Sequence, residues 1–283
     1  MSNAARSLGP TQPFLGEVFS SKPFLKWVGG KRQLLEKLRE RIPAEFGTYH
    51  EPFVGGGALF FALRPAAAVL SDTNTQLIRA FRGVQQDVER VIARLQEMPI
   101  SRDFFLALRK HPVDEQSDTE VAAWMIYLNK TAYNGLYRVN RRGEFNVPFG
   151  RYENPRTCDP ENLRACSQAL GGASLFVEDF SAVLHRAKRG DLVYFDPPYI
   201  PVSVYSNFAR YTAEQFRLPD HQRLRDVALE LKARGVHVLI SNSVAPEVFS
   251  LYETHFKIER LRATRFVNSN PHGRGKVIET LMY

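Results

Sequence analysis

The apolar run Leu192-Val193-Tyr194-Phe195 stops on Asp196-Pro197-Pro198-Tyr199, and few folds have a use for that junction. Four consecutive apolar residues read as a strand buried on both faces. The strand then ends on a carboxylate, two prolines and an aromatic ring. Proline fixes φ and has no backbone donor, so nearby carbonyls stay free for a ligand. A carboxylate and a free carbonyl can together accept both N–H groups of an exocyclic amine on a flat base. The ring of Tyr199 can stack on that base. Pro-Pro also punctuates ordinary turns, so the junction needs support from elsewhere in the chain.

Support comes from a glycine-rich turn far upstream. A short strand over Thr48-Tyr49-His50 runs into Glu51-Pro52-Phe53-Val54-Gly55-Gly56-Gly57, and Ala58-Leu59-Phe60-Phe61 opens a helix after it. Glycine lets backbone approach a ligand closely, and a helix N-terminus is electropositive. The glycine spacing is too short for the G-x-G-x-x-G dinucleotide pattern. A second strand, Ala68-Val69-Leu70-Ser71, ends on Asp72 at the offset where an acidic residue binds ribose hydroxyls, with Glu51 the next candidate. A glycine turn, a strand ending on Asp and a strand ending on Asp-Pro-Pro-Tyr make a strong signal together.

The chain has 283 residues, 44% of them hydrophobic, enough for one large domain or a domain with an insertion. Its formal charge of +8 favours a polyanionic partner, although a merely basic soluble protein satisfies charge alone. Two cysteines, Cys158 and Cys166, argue against a disulfide framework and fit a reducing cytoplasm. No cluster has Cys and His at metal-ligand spacing, so no metal is expected. No apolar run approaches the ~18–20 residues that span a bilayer, and the N-terminus lacks a signal pattern. Residues 1–21 read as a flexible extension.

Six core strands are expected, around Tyr49, Val69, Leu175, Val193, Val238 and Ile278, with helices between them. That alternation predicts a mostly parallel sheet. Leu77, Ile78, Phe81, Val84, Val88, Val91, Ile92 and Leu95 have helical period, and a second helix holds Val121, Met125, Ile126 and Leu128. A helix from Asp220 to Arg234 stops at Gly235. Residues 76–158 show no strand–helix alternation and read as an inserted subdomain.

Four blocks in order carry a family resemblance. They are Phe24-Leu25-Lys26-Trp27-Val28-Gly29-Gly30-Lys31; Glu51 to Gly57; Asn134-Gly135-Leu136-Tyr137-Arg138 running to Phe145-Asn146-Val147-Pro148-Phe149-Gly150-Arg151-Tyr152; and Asp196 to Tyr199. The chain resembles the DNA adenine-N6 methyltransferases of the Dam and DpnII type over roughly residues 22–283. The resemblance implies a Rossmann-like sheet that depends on S-adenosylmethionine, with a mostly helical DNA-recognition subdomain inserted at 76–158. The catalytic domain would then comprise 22–75 and 159–283.

It also implies roles. Trp27 and Lys31 would close over the cofactor, and Phe53, Gly55 and Gly57 would shape its pocket. Asp72 would hold the ribose. Asp179, with Glu178 competing for the role, would accept from the cofactor's adenine, and Phe180 would stack on that ring. Asp196 and the Pro197 carbonyl, next to Pro198, would accept from N6 of the target adenine, and Tyr199 would stack on the flipped base. In a GATC site Arg138 would read a guanine, Leu136 and Pro148 would touch the thymine methyl, and Lys26 would serve the first guanine. Tyr133 and Asn134 would separate the strands. Arg141, Arg142 and Arg151 would hold phosphates or structure. Arg274 lies in a second basic stretch that reads as a phosphate-contacting loop, as a hairpin joining the last strands, or as both.

The partner is therefore double-stranded DNA, in the cytoplasm and on the nucleoid. RNA or small-molecule methylation is the first rival and a non-catalytic DNA-binding relative the second. Pairing with a restriction endonuclease and solitary action are both open.

Overall fold

A computed structural model of the chain describes residues 21–31, 33–140, 142–200, 216–264 and 276–283. The N-terminal extension up to residue 20, Arg141 and Arg274 lie outside the described residues. The helices are α1 (Leu35–Arg39), α2 (Ala58–Leu63), α3 (Thr75–Gln86), α4 (Val88–Glu97), α5 (Arg102–Arg109), α6 (Asp118–Thr131), α7 (Pro160–Leu170), α8 (Leu218–Ala233) and α9 (Pro246–Tyr252). The strands are β1 (Tyr49–Glu51), β2 (Ala68–Asp72), β3 (Ala173–Val177), β4 (Leu192–Phe195), β5 (His237–Asn242), β6 (Ile258–Thr264) and β7 (Lys276–Met282).

The strands form one sheet in the order β3-β2-β1-β4-β5-β7-β6. The first five run parallel, β7 lies antiparallel to β5, and β6 lies antiparallel to β7. All six expected strands are present. β6 was not foreseen, because its sequence reads as a basic stretch. The chain order reverses between β1 and β4, and the crevice at the carboxyl ends of strands beside such a reversal is where open α/β sheets bind ligands. β4 is buried along its whole length. Leu192 and Tyr194 join the core on one side with α3, α4 and α6, while Val193 and Phe195 join the core under α8 and α9.

The periodic run from Leu77 to Leu95 is two helices and not one. Asp87, at φ −150° and ψ 76°, closes α3 by donating its backbone N–H to the Gly83 carbonyl. It then caps α4 by accepting from the Arg90 N–H. An aspartate stabilises a new helix start better than it continues an old helix. α5 and α7 also escaped the sequence reading; they begin at the caps Ser101 and Asp159. Gly235 has φ +80°, a conformation that a glycine adopts without strain, and it ends α8 as expected.

The segment between β2 and β3 is helical. α3 packs on β2 and β3, and Arg82 and Gln85 donate to the carbonyls of Leu175 and Ala173. α6 is buried on nearly every side, from Val121 to Asn129. Gly83 lets α3 meet the start of α6, where a Cβ would collide with the Asp118 backbone.

Candidate active site

β4 delivers Asp196 to the carboxyl edge of the sheet. Its Oδ2 lies 2.8 Å from Lys31 Nζ, and Lys31 also donates to the Gly29 carbonyl at 2.7 Å. Lys31 is 3% exposed. Oδ1 of Asp196 is buried and has no hydrogen-bond partner. Burial pushes the Asp196 carboxyl above the usual carboxylate range, Lys31 opposes the shift, and Glu279 adds to it. The Tyr199 hydroxyl donates to Glu279 Oε2 at 2.7 Å, and Lys31 Nζ sits 4.8 Å from the Tyr199 ring centroid. Burial, with Asp196 and Glu279 nearby, holds that phenol well above its ordinary pKa, so it stays neutral and donates.

The exit from the tetrapeptide is clamped. The Ile200 N–H donates to Asn242 Oδ1 at 3.2 Å, and the Ser243 hydroxyl donates to the Ile200 carbonyl at 2.6 Å. Pro197 is buried and Pro198 is exposed.

At the next strand ends lies a glycine cradle. Gly55 has φ +46° and Gly57 φ +67°. A Cβ on Gly55 would sit 2.7 Å from Trp27 Cδ1, so glycine is required for both its conformation and its space. The Trp27 ring stacks on Tyr137 with centroids 5.2 Å apart. Asp72 accepts from the Asn74 N–H at 3.0 Å and the Gly55 N–H at 3.3 Å, and burial pushes its carboxyl up to about 6. Glu51 accepts from the Tyr49 hydroxyl at 2.9 Å, and burial pushes it up to about 8. A cradle open only to glycine, an aromatic wall and a carboxylate beside it fit a nucleoside ligand.

At the third strand end the carboxylates are paired with cations. Burial would raise the Asp179 carboxyl, yet Arg223 and Ser181 hold it below its ordinary value. Arg223 grips both its oxygens, at 2.8 and 3.0 Å. Glu178 pairs with Arg186 at 2.8 Å, so both candidates for the adenine contact already have cationic partners. Phe180 is 2% exposed. It stacks against Phe53 at 5.4 Å and has the Arg223 guanidinium 4.4 Å from its centroid. In this conformation Phe180 is a core ring without a free face, whereas Phe53 is half-buried.

The expected base-reading residues lie in or against one hairpin. Between the bridges Ala132↔Phe149 and Val139↔Phe145, the inward residues are Tyr137, Val139, Phe145 and Val147. Arg138 and Pro148 are exposed, and Leu136 is half-buried. This is the period-2 alternation of a hairpin with one face in the core. Tyr133 is 45% exposed, and Asn134 adopts φ +56°, a backbone state that is uncommon outside glycine. Arg138 Nε donates to Asn146 Oδ1 at 2.8 Å. The Lys26 stem crosses Gly135, where a Cβ would collide with it, and its ammonium lies 5.8 Å from the Tyr152 ring. Arg151 is exposed nearby.

Sequence reasoning missed two positions. Asn129 is buried at the end of α6. It accepts from the Lys26 N–H and donates to the carbonyls of Lys26 and Gly135, joining the first and third sequence blocks. Glu279 reaches Tyr199 of the Asp-Pro-Pro-Tyr tetrapeptide from β7. Each sits at the edge of an apolar stretch, Asn129 after Trp124 to Leu128 and Glu279 after Val277-Ile278, where a polar residue gives little local signal of its partner. Among the described residues no cluster of His, Cys, Asp and Glu could hold a metal, and no helix is long and apolar enough to cross a membrane.

A seven-stranded sheet with an antiparallel β7, a glycine cradle and Asp-Pro-Pro-Tyr beside the strand reversal define a methyltransferase fold. The pattern described as D12 class N6 adenine-specific DNA methyltransferase matches residues 27–267, and the chain belongs to that family. It is 41% identical to the Type II methyltransferase M1.LlaDCHI of Lactococcus lactis subsp. cremoris over 269 residues, covering 92% of this chain and 94% of the relative. It is 38% identical to the Type II methyltransferase M.MjaIII of Methanocaldococcus jannaschii, covering 87% and 93%. It is 32% identical to the DNA adenine methylase of Escherichia coli, covering 92% and 94%. The protein is thus an adenine-specific DNA methyltransferase.

Proposed function

We propose that the protein methylates N6 of an adenine flipped out of duplex DNA, within GATC, with S-adenosylmethionine as methyl donor. The observation that carries this reading is the division of labour on Asp196. One oxygen is held by Lys31, and the other is buried and unpartnered. A buried acceptor without a partner costs stability, and an amino N–H of the target base is a partner that repays it.

Asp196 and the Pro197 carbonyl would accept the two N–H bonds of the target amine. Accepting both draws that nitrogen towards tetrahedral geometry and localises its lone pair. The bound cofactor supplies an electrophilic methyl group. The protein's share is position and electrostatics, with Tyr199 stacked on the base. A base inside a duplex is out of reach, so it must leave the stack at a cost of a few kcal/mol. Gly55, Gly57, Trp27 and Phe53 would enclose the cofactor, and Asp72 would accept from its ribose. Asp179 would serve its adenine only by sharing or releasing Arg223.

The recognition subdomain would comprise the helical layer and hairpin between β2 and β3. Arg138 is the guanine reader, Leu136 and Pro148 contact the thymine methyl, and Lys26 serves the first guanine. The DNA adenine methylase relatives support GATC as the site. The test is methylation of a GATC duplex and its single-base variants with labelled cofactor. Preferential labelling of GATC, and resistance of an expressing host's DNA to a methylation-sensitive GATC endonuclease, are the expected results. Equal labelling of all duplexes would overturn the site assignment.

A further inference from the structure

Glu279 is the unclaimed group in the site. It sits on β7, between Lys276-Val277-Ile278 and Thr280-Leu281-Met282, and its side chain is only 16% exposed. Its neighbour Thr280 pairs in register with Asn242 of β5. Through its Oε2 it meets two members of the site at once. The Tyr199 hydroxyl donates to it at 2.7 Å, and Lys31 Nζ lies 3.8 Å away.

We propose that Glu279 is a positioning residue for methyl transfer, fixing the plane of the Tyr199 ring and the aim of Lys31. The proposal rests on the stacking role given to Tyr199 above. Tyr199 contributes a flat face, so its value depends on the angle at which the ring stands. Its backbone is set by two prolines before it and by the clamp of Asn242 and Ser243 on Ile200 after it. Its far end is set by Glu279. A ring tethered at both ends meets an incoming base without first losing rotational freedom.

The second effect concerns Lys31. Its ammonium bonds Gly29 and one oxygen of Asp196, and faces Glu279 with the remaining charge. Without Glu279, that ammonium is free to turn towards Asp196 and take both its oxygens. The unpartnered Oδ1 would then be lost to the target amine.

The test compares Glu279→Ala, Glu279→Gln and Tyr199→Phe on whichever duplex the wild type methylates fastest, so a failure of the GATC assignment leaves it intact. Glutamine still accepts the Tyr199 hydroxyl. Glu279→Ala should lower turnover at least about tenfold, with dissociation constants for S-adenosylmethionine and duplex within about threefold of wild type. Glu279→Gln should recover most of that loss. The Glu279→Ala, Tyr199→Phe double variant should be no slower than the slower single variant, as expected of residues that act as one unit. With 2-aminopurine at the target position, Glu279→Ala should alter the emission of the bound base, and Glu279→Gln should restore it. Unchanged turnover in Glu279→Ala overturns the proposal. So does a Glu279→Gln variant as slow as Glu279→Ala, or losses that simply add.

Discussion

At the scale of single residues, the two oxygens of Asp196 have different surroundings, Lys31 at Oδ2 and no partner at Oδ1. Asp196→Ala should abolish transfer while leaving cofactor and duplex affinity within about tenfold, roughly 1.4 kcal/mol. Turnover and both dissociation constants check it, and near-normal turnover would remove Asp196 from the chemistry. The carboxyl is raised by burial and held down by Lys31. The proposed transfer uses the ionised form, so activity should be lost as pH falls through this raised value. Lys31→Met removes the opposing charge and should move that acid limb to higher pH. A limb that stays in place would show that another group sets it. Asp72 is pushed up to about 6. Cofactor affinity should weaken as pH drops below about 6, and Asp72→Ala should be weak at every pH, both read by calorimetry with cofactor alone. Unchanged affinity in that variant would move the ribose contact to Glu51.

At the scale of elements, the hairpin around residues 136–148 presents alternate side chains to core and solvent, and the two sets should respond differently. Arg138→Ala should relax specificity at one guanine–cytosine pair, costing about 1–3 kcal/mol on GATC and much less on a site altered there. If Arg151 holds a phosphate, its removal should weaken all duplexes alike and lower the salt slope by about one unit. Methylation rates on single-base variants, at several salt concentrations, separate the two. An Arg138→Ala variant that slows every duplex equally would take away the main support for GATC. The block was legible because it matches a family pattern, but its hairpin form was not. Nor was the break between α3 and α4, because apolar period runs through Asp87 unchanged and only the cap geometry reveals the stop.

At the scale of the whole molecule, the sheet buries charge close to its site, and that costs stability in a pH-dependent way. Glu51 is raised from 4.5 to about 8 by burial. Between those values the folded chain keeps a proton that the unfolded chain has released. Its contribution therefore makes stability fall as pH rises from about 4.5 to about 8. Glu51→Gln removes this term. Relative to wild type, the variant should gain melting temperature as pH rises across that window and level off above it. Comparing variant with wild type cancels the titration of other groups. A difference that does not change with pH would place the Glu51 carboxyl in the ordinary range.

What the sequence by itself determined is local: six strands and their apolar faces, the glycine turn, Asp72, the Asp-Pro-Pro-Tyr junction and the block from Asn134 to Tyr152. Each depends on residues a few positions apart, where backbone preference and periodicity act directly. Only the tertiary structure decided the partners. Lys31 meets Asp196, Arg223 takes Asp179, Asn129 joins Lys26 to Gly135, and Glu279 reaches Tyr199. The physical reason is that strand order is set by how two cores pack against the sheet's two faces. Inserting β7 antiparallel beside β5 brings residue 279 to residue 199, a contact that no local pattern encodes.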